Sequence, residues 1–232
     1  MTNSKILPQI QKIDLLIIGD LILLLLALCF VNYGDFDVKI QNNFFDFAQK
    51  KWLIDRFEPI AKFFFYHLPK IIFIIALFTS LLAVLLKKNR QKFLLIFLGL
   101  ALIPLIVGNI KKITNVYCPY QLEIYDGDRP YVKIFEKYPE NFLSKKAGKC
   151  FPAGHAITGF AFFILCFALI KKSHKFLAFF LVTIYGWILG SYQMLKGAHF
   201  FGDTLVTMLA CFLLAAVIYK IYSQSYPESV AG

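Results

Sequence analysis

The sequence predicts an all-α membrane protein: a six-transmembrane-helix bundle with an interfacial amphipathic segment and one long polar loop. Three observations lead there. Of the 232 residues, 59% are hydrophobic, and the mean hydropathy is +0.64, more apolar surface than a soluble domain of this size needs. Six apolar runs approach the roughly 20 residues that cross a bilayer. Those runs carry almost no acids or bases near their middles, where such groups are costly. Residues 1–232 read as a single integral membrane domain, with no separate soluble domain.

Residues 1–13 are polar, with Lys5 and Lys12. The first span covers residues 15–31. No small-residue cleavage pattern follows it, so it reads as an uncleaved anchor. Asp20 lies in its first turns, where it can reach the interface. Residues 42–68 alternate aromatics with charges, among them Phe44, Trp52, Arg56, Lys62 and Tyr66. This pattern fits one or two amphipathic helices lying in the membrane interface, or helices packed over the bundle. The second span is expected at 71–86 and the third at 93–110, bent at Pro104. A polar segment, 111–154, follows. The fourth, fifth and sixth spans are expected at 156–170, 176–194 and 204–221.

Six spans place both termini on one side. The short loops that abut the spans are basic, including Lys87, Lys88, Arg90 and Lys92, then Lys171, Lys172 and Lys175. Short basic loops stay cytoplasmic. The segment 111–154 then faces away from the cytoplasm, which in a Gram-negative bacterium is the periplasm. The formal net charge is +11. The basic residues form no single stripe or reader motif, so nucleic acid is excluded as a partner. Topology and anionic lipid explain the charge better. Cys29, Cys166 and Cys211 lie in apolar runs and read as inert buried thiols. Cys118 and Cys150 flank the polar segment, without the CxxC or His-rich spacing of a metal site, so no metal is expected.

Two stretches carry chemistry. In Cys150-Phe151-Pro152-Ala153-Gly154-His155, Pro152 and Gly154 allow a tight turn that opens a helix, and a helix N-terminus is a ready anion site. In Gly197-Ala198-His199-Phe200-Phe201-Gly202-Asp203, His199 and Asp203 are four apart, on one helix face. A carboxylate there can hold the imidazole in one tautomer. Two such histidines fit phosphoryl transfer through a histidine nucleophile with a histidine acid.

These stretches resemble the signature of the type 2 phosphatidic acid phosphatase superfamily, which includes the vanadium haloperoxidases. That signature runs Lys-x6-Arg-Pro, Pro-Ser-Gly-His and Ser-Arg-x5-His-x3-Asp. Here the second part reads Pro152-Ala153-Gly154-His155, and the third keeps His199 and Asp203. The likeness covers about residues 110–205. The first part departs: Arg129-Pro130 matches its end, but Leu122 stands seven before Arg129. Aligned with a bacterial branch that has a longer first motif, Lys111 becomes the phosphate lysine, with Lys112 the competing choice. In the third part Gln193 stands for the arginine and Tyr192 for the serine. Lys196 either replaces part of the missing charge or snorkels to the interface.

The resemblance implies that His199 attacks phosphorus, Asp203 orients it, and His155 protonates the leaving oxygen and then activates water. Lys111, Gly154, Arg129, Gln193 and Lys196 would bind the phosphate, with no cofactor. It implies a lipid phosphatase embedded in a bacterial inner membrane, its active-site loop facing the periplasm. The closest fit is a lipid A 1- or 4′-phosphatase. Undecaprenyl diphosphate phosphatase, phosphatidylglycerophosphate phosphatase and lipid phosphotransferase are the alternatives. A non-catalytic lipid-binding protein or a transporter fits the retained histidines and the apolar spans less well. In an oxidising periplasm Cys118 and Cys150 would either form a disulfide, closing a loop of about 30 residues for roughly 3–4 kcal/mol, or remain two thiols.

Overall fold

The computed structural model describes residues 3–140, 142, 147–169 and 171–226. Helix α1 (Asn3–Tyr33) leads into a short α2 (Phe36–Asn42). A two-stranded hairpin follows, β1 (Phe45–Asp46) pairing antiparallel with β2 (Lys51–Trp52), then α3 (Pro59–Lys62). One π turn joins α3 to α4 (Leu68–Leu85), which is followed by α5 (Arg90–Thr114). After the long polar loop come α6 (Gly154–Phe160), a 3₁₀ turn, α7 (Ile164–Ala168), α8 (Lys172–Leu195) and α9 (Phe201–Ser225).

Five helical stretches are long and apolar enough to cross a membrane: Gln11–Tyr33, Pro59–Leu85, Arg90–Gln121, Ser173–Leu195 and Phe201–Ser225. Their outer faces carry exposed Leu, Ile and Phe, such as Leu15, Ile75, Phe78 and Phe180. That is a lipid-facing surface, and the chain is a multi-pass membrane protein. The fourth expected span differs. It is the shorter apolar stretch Gly154–Ala168, 15 residues long and tightened by the 3₁₀ turn Ala161–Phe163. At 1.5 Å per residue it reaches about 22 Å, short of a ~30 Å hydrocarbon core. It lies inside the bundle: Phe160, Phe163 and Ile164 pack against Leu100 and Ile103 of α5 and Cys211 of α9. A Cβ on Gly159 would come within 2.7 Å of the Gly186 Cα, so α6 and α8 touch backbone to backbone.

The segment 42–68 also differs from expectation. Its first half is the hairpin rather than an amphipathic helix. Asp46 Oδ1 accepts from the Ala48 and Gln49 amides, and Lys50 sits at φ 55°, which closes the turn. Its second half is helical but fuses with the second span through Pro59–Leu85. Asp20 is buried rather than interfacial, on the face of α1 that also buries Ile13 and Ala27. Cys29 is exposed, while Cys166 and Cys211 are buried.

The hairpin and the polar loop cap one end of the bundle. Gln41 Nε2 donates to Met194 O at 2.8 Å, and the Tyr120 amide to Gly197 O at 2.9 Å. Phe45, Tyr117, Leu122, Tyr125 and Phe200 form an aromatic cluster there. Beneath the cap meet the C-terminal ends of α5 and α8 and the N-terminal ends of α6 and α9.

Candidate active site

The connection from α8 to α9 delivers His199. Helix α8 ends in a Schellman turn: the Gly197 amide donates to Met194 O at 3.0 Å and the Ala198 amide to Gln193 O at 2.8 Å. Gly197 sits at φ 70°, and a Cβ there would lie 2.3 Å from the Trp52 ring, so only glycine fits the turn and the hairpin above it. Two residues later His199 is 3% exposed, just before α9. Asp203, 2% exposed in the first turn of α9, turns back. Its Oδ2 lies 3.0 Å from the Phe200 amide and 3.2 Å from His199 Nδ1. A proton on Nδ1 satisfies that contact and leaves Nε2 as the free lone pair of a ring lining the cavity.

His155 stands in the first turn of α6. Thr207 Oγ1 accepts from the Ala153 amide at 2.8 Å and donates to Asp203 O at 2.7 Å, so one hydroxyl ties the start of α6 to α9. This coupling sets the His155 and His199 ring centroids 6.2 Å apart. His155 also meets the Tyr66 ring at 4.6 Å, and its Nδ1 is buried with no hydrogen-bond partner among the described residues.

Both rings line a cavity of about 310 Å³. Five cations line it as well, Arg56, Lys62, Lys111, Lys149 and Lys196, and among the described residues no carboxylate does. Lys111 reaches it from the last turn of α5: a Cβ on Gly154 would lie 2.8 Å from Lys111 Nζ. Lys112 instead donates to Asn109 Oδ1 at 2.8 Å on an exposed face, so Lys111 is the lysine brought to the histidines. Gln193 is fully buried in the last turn of α8 and lines the cavity, with both amide atoms unpartnered among the described residues. Lys196 is 8% exposed, its Nζ 4.4 Å from the Tyr192 ring centroid, so it points into the protein and not to the interface.

The electrostatics follow. Burial, then the positive charges of Lys111 and Lys196, hold the His199 pKa well below its usual value. The ring is neutral at pH 7, as a nucleophile must be. Burial, then Arg56 and Lys62, pull Lys196 down to about 8. Asp37, which accepts from the Gly202 amide at 2.7 Å, is pushed up to about 7 by burial and then by Asp203.

Arg129 is placed elsewhere. It pairs with Asp128 at 3.2 Å, faces the Tyr117 and Phe142 rings, and lines a separate neighbouring cavity. The local turn explains this: the Glu123 amide donates to Arg129 O, and Gly127 packs on the Gln121 backbone, which directs the side chain away from the histidines. Cys118 and Cys150 are disulfide-bonded, with Cα atoms 5.0 Å apart, and Cys150 Sγ lies 3.4 Å from His199 Nδ1. Cys150, His199 and Asp203 cluster tightly enough to suggest a metal site. The disulfide removes the thiolate, leaving two donors where catalytic zinc takes three, so these residues do not fit a resident metal.

Sequence reasoning missed Arg56, Lys62, Lys149, Tyr66 and Tyr120, all of which line the cavity. For Arg56, Lys62 and Tyr66 the only signal was the alternation of basic and aromatic residues in 42–68; Tyr120 and Lys149, in the polar loop, carried none. Neither a curated protein nor a solved structure matches the chain. A family profile, that of the PAP2 superfamily, matches residues 92–227, which take in Lys111, His155, His199 and Asp203. Over more than half its length the chain carries the pattern of these phosphatases, and it belongs to the PAP2 superfamily.

Proposed function

We propose that the chain is a membrane lipid phosphatase that hydrolyses a phosphate monoester through a phosphohistidine on His199. The observation that carries this is the His199–Asp203 pair, 3.2 Å apart, with His199 and His155 lining one cavity together with five cations. His199 Nε2 attacks phosphorus, and the bond from phosphorus to the lipid oxygen breaks. His155 gives that oxygen its proton. Water then attacks the phosphohistidine while His155 takes a proton from it, and the N–P bond breaks to release inorganic phosphate. Asp203 holds the ring and favours the positive charge that develops on it. Lys111, Lys196, Gln193 and the amides of Gly154 and His155 stabilise the phosphoryl oxygens. No step calls for a metal.

The six-span reading is supported by the course of the chain. Helices α1, α5 and α8 run toward the cap, and α4, α6–α7 and α9 run away from it, which puts the start of α1 and the end of α9 opposite the site. With the basic short loops in the cytoplasm, the cavity faces the periplasm of a bacterial inner membrane. Lipid A, dephosphorylated at position 1 or 4′, is the substrate that the motif pattern favours. Undecaprenyl diphosphate and phosphatidylglycerophosphate follow. Phosphate release from each lipid by purified protein, with mass spectrometry of total lipids from cells with and without the gene, tests the proposal. No release from any of them, and an unchanged lipid profile, would leave a lipid-binding role instead.

A further inference from the structure

The cavity holds more positive charge than the transfer of one phosphate uses. A phosphate monoester carries about two negative charges at pH 7, which Lys111 and Lys196 balance beside the histidines. Arg56, Lys62 and Lys149 remain, and the first two come together from the segment between β2 and α4. The Arg56 guanidinium lies over the Tyr120 ring, 3.3 Å from its centroid. Stacking fixes the plane of the group and leaves its in-plane N–H donors free for a planar fork onto an oxyanion.

The acids beside these two cations are turned away. Asp55 Oδ1 accepts from the Phe57 amide at 2.9 Å. Glu58 caps α3, accepting from the Ile60 amide at 3.0 Å and from the Ala61 amide. Neither Arg56 nor Lys62 forms an ion pair among the described residues. The local carboxylates are thus engaged by backbone amides, while Arg56 and Lys62 line the cavity. Lys196 lines the same cavity as both groups, its Nζ 4.4 Å from the Tyr192 ring centroid and 5.8 Å from that of Tyr66. Gln193, buried and unpartnered on the same wall, offers two further polar atoms to a ligand.

We propose that Arg56 and Lys62 form a second anion subsite, which holds a second phosphate of the same substrate, next to the one transferred to His199. The proposal rests on the phosphatase reading above and sharpens it: the preferred head group is a diphosphate ester, cleaved at its terminal phosphate. His199 Nε2 then bonds the terminal phosphorus as the bond from that phosphorus to the bridging oxygen breaks. The leaving group is the lipid monophosphate, and its newly freed oxygen takes the proton from His155. Arg56 and Lys62 hold the inner phosphate, so charge that builds on the leaving group is met where it forms.

The test uses the full-length protein in detergent with two polyprenyl lipids of the same chain length, one a monophosphate and one a diphosphate. The readout is the ratio of kcat/KM for diphosphate over monophosphate. Within one protein preparation this ratio cancels any loss of folded fraction. Wild type should favour the diphosphate by at least about tenfold, the effect of one good charged contact. In the double variant Arg56→Gln/Lys62→Gln the ratio should fall to within about threefold of unity, and Arg56→Lys alone should lie between. A wild-type ratio near one, or a ratio unchanged by the double variant, overturns the subsite and leaves the phosphatase reading standing. If wild type releases phosphate from neither polyprenyl lipid, the subsite is overturned; the phosphatase reading fails with it only when lipid A and phosphatidylglycerophosphate also release none. Inorganic phosphate, tested as an inhibitor of monophosphate hydrolysis, separates the sources of the anion. Equal inhibition of wild type and the double variant supports a substrate-borne phosphate. Inhibition weakened tenfold in the variant means that the subsite takes free phosphate, and overturns the proposal.

Discussion

Gly154→Ala separates the site from the fold. A Cβ at Gly154 would lie 2.8 Å from Lys111 Nζ and 3.5 Å from its Cδ. Carbon atoms settle at about 3.5–4.0 Å from their neighbours, so the ammonium must retreat by about 0.7–1.2 Å. The Lys111 side chain can flex, and φ at Gly154 is not in the left-handed region, so the backbone admits alanine. Such a Gly→Ala change is neutral to stabilising, by up to about 1 kcal/mol. The cost falls on chemistry, where a displacement of about 1 Å can lose ~10²-fold. We expect kcat/KM to fall by about 10- to 100-fold with the thermal midpoint unchanged or raised. Phosphate release from lipid in detergent, beside a thermal melt of the same sample, reads both. If the loss runs through Lys111, Gly154→Ala costs little more in a Lys111→Ala background. Additive losses, or wild-type activity in Gly154→Ala, would refute the idea that Lys111 is held against this turn for phosphate.

Three further outcomes follow from the geometry. His155→Ala should slow turnover by roughly 10²–10⁴-fold, with a smaller loss on esters whose leaving groups need no proton; an equal loss on both counts against the acid role. Lys196, lowered to about 8, is charged below that pH and neutral above it. If its charge binds phosphate, kcat/KM falls as pH rises through about 8, and Lys196→Arg moves that limb to higher pH; an unmoved limb assigns it to another group. Replacing Cys118 and Cys150 together by Ser should lower stability by roughly 3–4 kcal/mol, the loop-closure value for this span, seen as a lower denaturation midpoint under non-reducing conditions. An unchanged midpoint means that the bond contributes nothing to the fold.

The contact between His199 and Asp203 was legible because its geometry is local. His199 and Asp203 are held by a four-residue spacing at a helix start, and Gly154-His155 by a turn that opens a helix. Lys111 was legible only as one of two neighbours. Its choice over Lys112 depends on which face of α5 meets α6, a tertiary fact. Arg129 matched a motif, yet the turn around Gly127 directs it into another cavity. Arg56 and Lys62 were hidden for a similar reason. They reach the cavity because the hairpin folds back, with Trp52 over Gly197 and the Ile54 amide bonded to Leu195 O at 3.3 Å. Nothing in the local pattern of residues 42–68 predicts that hairpin. The count of spans rested on apolar runs, and the run from 156 is apolar because it is buried among helices, not because it faces lipid.

The proposed mechanism turns on His199 as the nucleophile. The most direct measurement is to mix the protein with lipid carrying radiolabelled phosphate, quench in alkali, where phosphohistidine survives, and locate the label by peptide mass spectrometry. Label on His199, absent from His199→Ala and accumulating in His155→Ala, is the result the account predicts. Rapid lipid hydrolysis with no label on the protein, or His199→Ala retaining more than about a tenth of wild-type turnover, would contradict it.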